Sequence, residues 1–159
     1  MARELAGKSE LIEIIRLYRI IFDFYRRQEN RLIDKIPFPR LTPVISESLT
    51  YHLIKDSVIL GNRYITDVSF SKSGGDLEVV ENGIIKRVEV KSTAQQAFQY
   101  FSNKDKQADY LIWMHFGNVL KDREENIIQI TIVDKDMIRI HLEELPSTGK
   151  ITLSKFRKI

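Results

Sequence analysis

The chain has 159 residues, enough for one domain with a real core, and its 43% hydrophobic and 30% charged residues are typical of a soluble globular protein. It contains no cysteine, which excludes disulfides and thiolate metal sites. The net charge of +3 favours an anionic partner such as nucleic acid.

The opening MARELAGKSE lacks the apolar stretch of a signal peptide. Ser9 suits an N-cap for a first helix reaching about Asn30. Leu11, Ile14, Ile15, Tyr18, Ile21, Phe22 and Tyr25 recur at helical spacing, giving an apolar stripe for the core or a subunit interface. Glu13, Arg16, Arg19 and Asp23 interrupt that stretch, so it does not suit a bilayer, and a cytoplasmic protein without membrane contact is expected. Ile36-Pro37-Phe38-Pro39 must be extended. A second helix is expected from Thr42-Pro43, with Ile45, Leu49, Leu53 and Ile54 on one side; Glu47 and His52 lie on it.

The pattern then turns to strands. Tyr64 to Phe70 is rich in β-branched and aromatic residues. Asp76 to Glu81 and Ile84 to Lys91 read as two strands joined by Asn82-Gly83, a strong hairpin signal because both turn residues need positive φ. Ala94 to about Asn103 reads as a helix. Asp109 to Phe116 and Ile127 to Val133 are nearly continuous apolar runs, expected as buried strands, with Trp113 and His115 in the core. Met137 to Leu142 and Lys150 to Leu153 are weaker strand signals. The order is that of a mixed α/β domain with a central sheet.

The hairpin brings chemistry together. A two-residue turn pairs Glu81 with Ile84, sets Glu78 opposite Arg87, and sets Asp76 opposite Glu89. Opposed residues share a face with Cβ atoms about 4.5–5.5 Å apart, and period two adds Lys91 to that face. Leu77, Val79, Val88 and Val90 point the other way, into a core. Glu78 and Arg87 compensate each other, whereas Asp76 and Glu89 repel and call for a cation, a shared proton or Lys91. Two oxygen donors suit Mg²⁺, which retains waters and takes further ligands from phosphate. Gly74-Gly75 leaves room for another backbone to approach. The three histidines, His52, His115 and His141, are too scattered for a zinc motif, and no glycine-rich phosphate loop points to an organic cofactor.

Gly75-Asp76, twelve intervening residues, then Glu89-Val90-Lys91 resembles the active-site signature of the PD-(D/E)XK nuclease superfamily. The residue before Asp76 is Gly where that signature has Pro. Glu47, 29 residues before Asp76, fits the helical acid that many members carry. The resemblance spans about Thr42 to Phe116 and is greatest to small type II restriction endonucleases. It implies a restriction-endonuclease-like α/β fold, with an α-β-β-β-α-β catalytic core over 42–116; beside that core stand an N-terminal helix within 1–35, a candidate dimer interface, and additional strands in 117–159. It further implies Asp76, Glu89, Lys91 and Glu47 as catalytic residues, with Asp76, Glu89 and Val90 as ligands of Mg²⁺ or substituting Mn²⁺. Lys91 would orient or deprotonate water, or stabilise developing charge. Ser73, Gly74, Gly75, Ser92, Gln95 and Gln96 are the expected nucleic-acid contacts, and the partners are DNA and a second copy of the chain. Gln96 and Tyr100, four apart, echo a Gln-X-X-X-Tyr helix of the superfamily's exonucleases. Two alternatives stand beside the restriction-like endonuclease. One is a structure-specific nuclease such as a Holliday-junction resolvase. The other is a catalytically silent nucleic-acid-binding domain.

Overall fold

The apolar stripe near the N-terminus does form a helix, and a computed structural model places it against the rest of the chain. The structure describes residues 6–27, 41–72, 75–93, 99–102, 105–116, 128–136 and 148–151. Helix α1 (Lys8–Arg27) begins one residue before the expected Ser9 cap. Glu10 closes its first turn instead: the Gly7 N–H donates to Glu10 Oε2 at 2.7 Å, the reach-back half of a capping box. Leu11 is buried, and Ile15, Tyr18 and Phe22 pack against the core.

Helix α2 (Pro43–Lys55) starts where Thr42 and Pro43 place it, with Thr42 extended and Pro43 in the first turn. Ile45 and Ile54 are buried. The two helices are tied end to end. The Ala6 N–H donates to Ser48 Oγ at 3.2 Å, His52 Nε2 donates to the Ala6 carbonyl at 2.9 Å, and Lys8 pairs with Asp56. His52 is thereby engaged at the helix junction.

The strands that follow are β1 (Ile65–Phe70), β2 (Leu77–Glu81), β3 (Ile84–Thr93), β4 (Gln99–Ser102), β5 (Tyr110–His115), β6 (Gln129–Asp134) and β7 (Thr148–Ile151). Five of them make one mixed sheet in the order β1-β2-β3-β5-β6. Only β3 and β5 are parallel; the other neighbours run antiparallel. The β2–β3 turn is the expected one, with φ of 50° at Asn82 and 78° at Gly83. Its register is also as expected, Glu81 opposite Ile84 and Glu78 opposite Arg87. The chain is thus an α/β protein with a five-stranded mixed sheet and two helices among the described residues.

Alternation then sorts the sheet's faces. Leu77, Val79, Val88, Ile112 and Met114 lie on one face, fully buried in a cluster that includes Ile54 of α2. Thr50 Oγ1 reaches Met114 Sδ at 3.8 Å, which fixes α2 on this face. Leu111, Trp113 and Val133 are buried on the other face. Both sides of β5 are therefore covered, as its continuous apolar run implies.

A parallel β3–β5 pair needs a crossover. The helix expected over Ala94 to Asn103 does not form through 99–102: these residues are β4, paired antiparallel with β7 in a separate two-stranded sheet. Tyr100 and Phe101 favour a strand, and a partner distant in sequence supplies the ladder. With Tyr100 in a strand, the Gln-X-X-X-Tyr helix is lost; Gln96 lies outside the described residues. So do the expected extended segment Ile36 to Pro39, the strand Met137 to Leu142 and His141. The strand expected over Lys150 to Leu153 is seen as β7, starting earlier. No described helix is long and apolar enough to cross a membrane.

Candidate functional site

The site lies where β2 begins beside the middle of β3. Gly75 has φ of +141°, which L side chains rarely adopt, while a Cβ there would meet nothing nearer than 3.7 Å. Glycine is thus needed at this position for the backbone bend and not for space. The bend delivers Asp76 to the first ladder position, where its N–H donates to the Val88 carbonyl at 3.2 Å. Asp76 Oδ2 then accepts the Val90 N–H at 2.8 Å. A carboxylate continues the β2–β3 ladder where the β2 main chain has turned away. In an extended strand the N–H and C=O of one residue face the same edge, so the Val90 carbonyl opens onto this same notch.

Glu89 and Lys91 project from the face opposite Val88 and Val90. Glu89 is 6% exposed, although it was expected on an open face. The crossover explains the burial. A 3₁₀ turn (Asp105–Gln107) follows β4, and the Asp109 N–H donates to the Arg87 carbonyl at 2.8 Å while Asp109 Oδ2 accepts the Arg87 N–H at 2.9 Å. These bonds hold the crossover against β3. They bring in Asp105, itself 3% exposed. Lys91 Nζ donates to Glu89 Oε1 at 2.7 Å and to Asp105 Oδ1 at 3.1 Å.

Asp105 was missed from sequence. It lies 14 residues beyond Lys91, in a segment that carries no motif. Only the fold brings the two together.

Lys91 bonds the carboxylates of Glu89 and Asp105, and the charge of Asp76 also acts on Glu89. Burial pushes the Glu89 carboxyl up to about 7; Lys91 opposes that rise, while the charges of Asp76 and Asp105 add to it. Burial alone would lower the Lys91 ammonium, but the hydrogen bonds and charges of Glu89 and Asp105 overcome it, so its pKa is raised. Lys91 is therefore a fixed positive charge near neutral pH.

Glu47 is 2% exposed on α2, which packs on the Val90 and Met114 face, opposite Glu89 and Lys91. No three acids or histidines among the described residues form a group able to hold a metal ion. The oxygen donors nearest one another are the carboxylate of Glu89 and that of Asp76, whose charge acts on Glu89, with the Val90 carbonyl on the edge that Asp76 faces. Such a hard-oxygen set suits Mg²⁺, which fills its remaining positions with water or phosphate oxygens. Ser92 follows Lys91 on β3 and is half-buried, as is Gly75. Ser73, Gly74, Gln95 and Gln96 lie outside the described residues.

Glu78 stands opposite Arg87 as expected, and it accepts a hydrogen bond from Ser71 Oγ at 2.9 Å. Arg87 Nη1 donates to Gln107 Oε1 at 3.4 Å. Comparison of the chain with family models, curated proteins and solved structures gives no match.

Proposed function

We propose that the chain is a cytoplasmic Mg²⁺-dependent endonuclease that hydrolyses phosphodiester bonds in DNA, most like a type II restriction enzyme on a restriction-endonuclease-like sheet. The observation that carries this reading is the buried carboxylate of Glu89, raised toward neutrality by burial and by the charges of Asp76 and Asp105, beside the ammonium of Lys91. A purely structural cluster gains nothing from excess buried negative charge. A site for a divalent cation does.

In this reading Asp76, Glu89 and the Val90 carbonyl hold the metal. Mg²⁺, or Mn²⁺ in its place, supplies Lewis acidity toward the phosphoryl group and water. Lys91 supplies a fixed ammonium beside the reacting phosphate, stabilising the charge that develops there. Its raised pKa favours this role over that of a base. Asp105 is a positioning residue that holds the Lys91 ammonium together with Glu89. Gly75 and Ser92 are the described members of the set expected to contact the nucleic-acid strand. Glu47, buried on α2, is the helical acid of this reading. Two copies are needed to cut both strands.

Purified protein with Mg²⁺ should nick or linearise supercoiled plasmid. Asp76→Ala and Lys91→Ala should each abolish that activity, and full cleavage by both variants would rule the site out. Parallel assays on duplexes and four-way junctions separate the restriction-like enzyme from a junction resolvase. One observation favours a second reading, a silent DNA-binding scaffold. Lys91 is clamped from two sides and Asp76 already serves the ladder, so both side chains have structural employment. DNA binding with a steep salt dependence, and no cleavage with either Mg²⁺ or Mn²⁺, would favour it.

A further inference from the structure

The β2–β3 turn is surrounded by large apolar side chains that the fold leaves uncovered. Tyr64, Ile84 and Ile85 are 71%, 60% and 63% exposed. Their backbone is fixed: Asn82 and Gly83 close the two-residue turn, and the Asn82 N–H donates to the Tyr64 carbonyl at 3.0 Å. Alternation divides the three between the faces of the sheet. Ile84 opposes Glu81, on the side of Val79 and Val88. Ile85 opposes Val80, on the side of Arg87, Glu89 and Lys91. Tyr64, one residue before β1, takes that second side too, because its neighbour Ile65 packs against the core. The face that carries the candidate site thus runs out, at the turn, into an exposed apolar end.

What lies between that end and the site selects its occupant. Ile85 stands four residues before Glu89, about 13 Å along β3, with Arg87 midway. Arg87 Nη1 donates to Gln107 Oε1 at 3.4 Å, which sets it beside the crossover turn that also carries Lys106. The β1–β2 flank is acidic instead: Asp67 opposes Val80, and Glu78 accepts Ser71 Oγ. A polyanion laid on this face is therefore steered to the β3 side, past Arg87 and Lys106, with Ile85 at its end. A nucleic-acid strand has both parts, phosphates for the cations and flat base faces for Tyr64 and Ile85. A lipid surface would instead take Ile84 and Ile85 together, since they straddle the apex. Resting on the nuclease reading for the course of the strand, we propose that the hairpin tip is a base-stacking platform: Tyr64 and Ile85 take the face of a base whose strand runs from the candidate site past Arg87. The favoured substrate is then DNA unstacked within a few nucleotides of the cut, by a tail, a gap, a junction or a kink. A stacked duplex offers such a base only after a step is opened, which costs free energy that the platform must return.

Fluorescence anisotropy in EDTA tests this on two labelled probes, a duplex with a single-stranded tail of mixed sequence and the same duplex with an abasic tail. The wild type should bind the tail that has bases about tenfold more tightly. Tyr64→Ser combined with Ile85→Thr should erase that preference and leave binding of the abasic tail within about twofold. Ile84→Ser, on the opposite face, should change neither. Arg87→Ala should weaken binding of both probes alike and lower the salt slope by about one. Thermal midpoints should stay those of the wild type, because residues 64, 84 and 85 are exposed. If the double variant unfolds, Ile85→Thr alone, which keeps the β-branch, should still reduce the preference. Equal affinity of the wild type for both tails overturns the proposal. So does a preference that survives in the folded variants, and so does a wild type that binds neither probe. Flotation of the wild type with vesicles of phosphatidylcholine and phosphatidylserine, lost in Ile84→Ser, marks a membrane-inserting tip and overturns it as well. EDTA withholds the metal, so binding is read apart from cleavage. A protein that cuts plasmid without preferring bases loses the platform alone, and one that prefers bases but never cuts loses the nuclease reading alone.

Discussion

Two glutamates of the same hairpin, Glu81 and Glu89, are equally buried, each 6% exposed, yet they sit in opposite kinds of surroundings. Glu81, beside the turn, accepts the Tyr110 hydroxyl at 2.6 Å and Arg63 Nη1 at 3.4 Å. The Arg63 guanidinium lies 5.5 Å from the centre of the Tyr110 ring. Burial, with the hydrogen bond to Glu81, pushes the Tyr110 hydroxyl up to about 12, so it remains a donor. One acid meets one cation and one neutral donor, and the cluster is balanced. At Glu89 the described charged neighbours are two further acids, Asp76 and Asp105, and the cation Lys91. A buried carboxylate is thus no sign of function in itself; the sign is a buried carboxylate whose neighbours leave it undercompensated.

That contrast can be broken by experiment. The largest effect is expected from Lys91→Met, which strips from Glu89 and Asp105 the ammonium that both of them bond. Urea unfolding at pH 8 should show a loss of about 3–5 kcal/mol, recovered in part at pH 5 where Glu89 takes up a proton. A loss below about 1 kcal/mol would show that the cluster behaves like a surface pair and the contrast is empty.

The next test sets the two glutamates against each other. Glu81→Gln should destabilise by about 1–3 kcal/mol, because it weakens a satisfied network. Glu89→Gln should do the reverse in metal-free buffer at pH 8, stabilising on the order of 2 kcal/mol, while abolishing cleavage. Each pK unit of upward displacement corresponds to about 1.4 kcal/mol at that pH, and loss of the charged bond to Lys91 offsets part of it. Effects of the same sign at both positions would end the comparison.

A smaller signal lies in the pH profile. Glu89 binds its proton more tightly when folded than when unfolded, so its contribution is fully present below pH 4.5 and is lost as pH rises through about 7. Wild-type stability should carry a falling component across that window, absent in Glu89→Gln. Smallest is the effect of metal: Mg²⁺ at tenfold its Kd should stabilise the wild type by about 1.4 kcal/mol and leave Glu89→Gln unchanged. Thermal unfolding with and without Mg²⁺ measures both.

What was legible in the sequence was local. The Asn82-Gly83 turn fixes its own register because positive φ at both positions leaves few alternatives, and that register carries as far as Leu77 opposite Val88; Asp76, expected opposite Glu89, instead turns its carboxylate to the Val90 amide. Helix α2 was legible because Thr42-Pro43 announces its start. What was hidden depends on contacts between distant segments. Residues 99–102 pair with 148–151, so their strand state could not be read from their own composition. Asp105 reaches Lys91 only because Asp109 anchors the crossover to Arg87. The burial of Glu89 was hidden for the same reason: the period-two pattern of β2 and β3 shows which side a residue takes but not what covers that side.

The bond from the Val90 amide to Asp76 has an evolutionary consequence. An asparagine oxygen could accept that amide as well as an aspartate oxygen can. A single-nucleotide change at this codon would leave the sheet zipped and remove only the charge. On such a scaffold, descent from a cutter to a mere reader of DNA needs no structural repair, so relatives of either kind are to be looked for on one backbone.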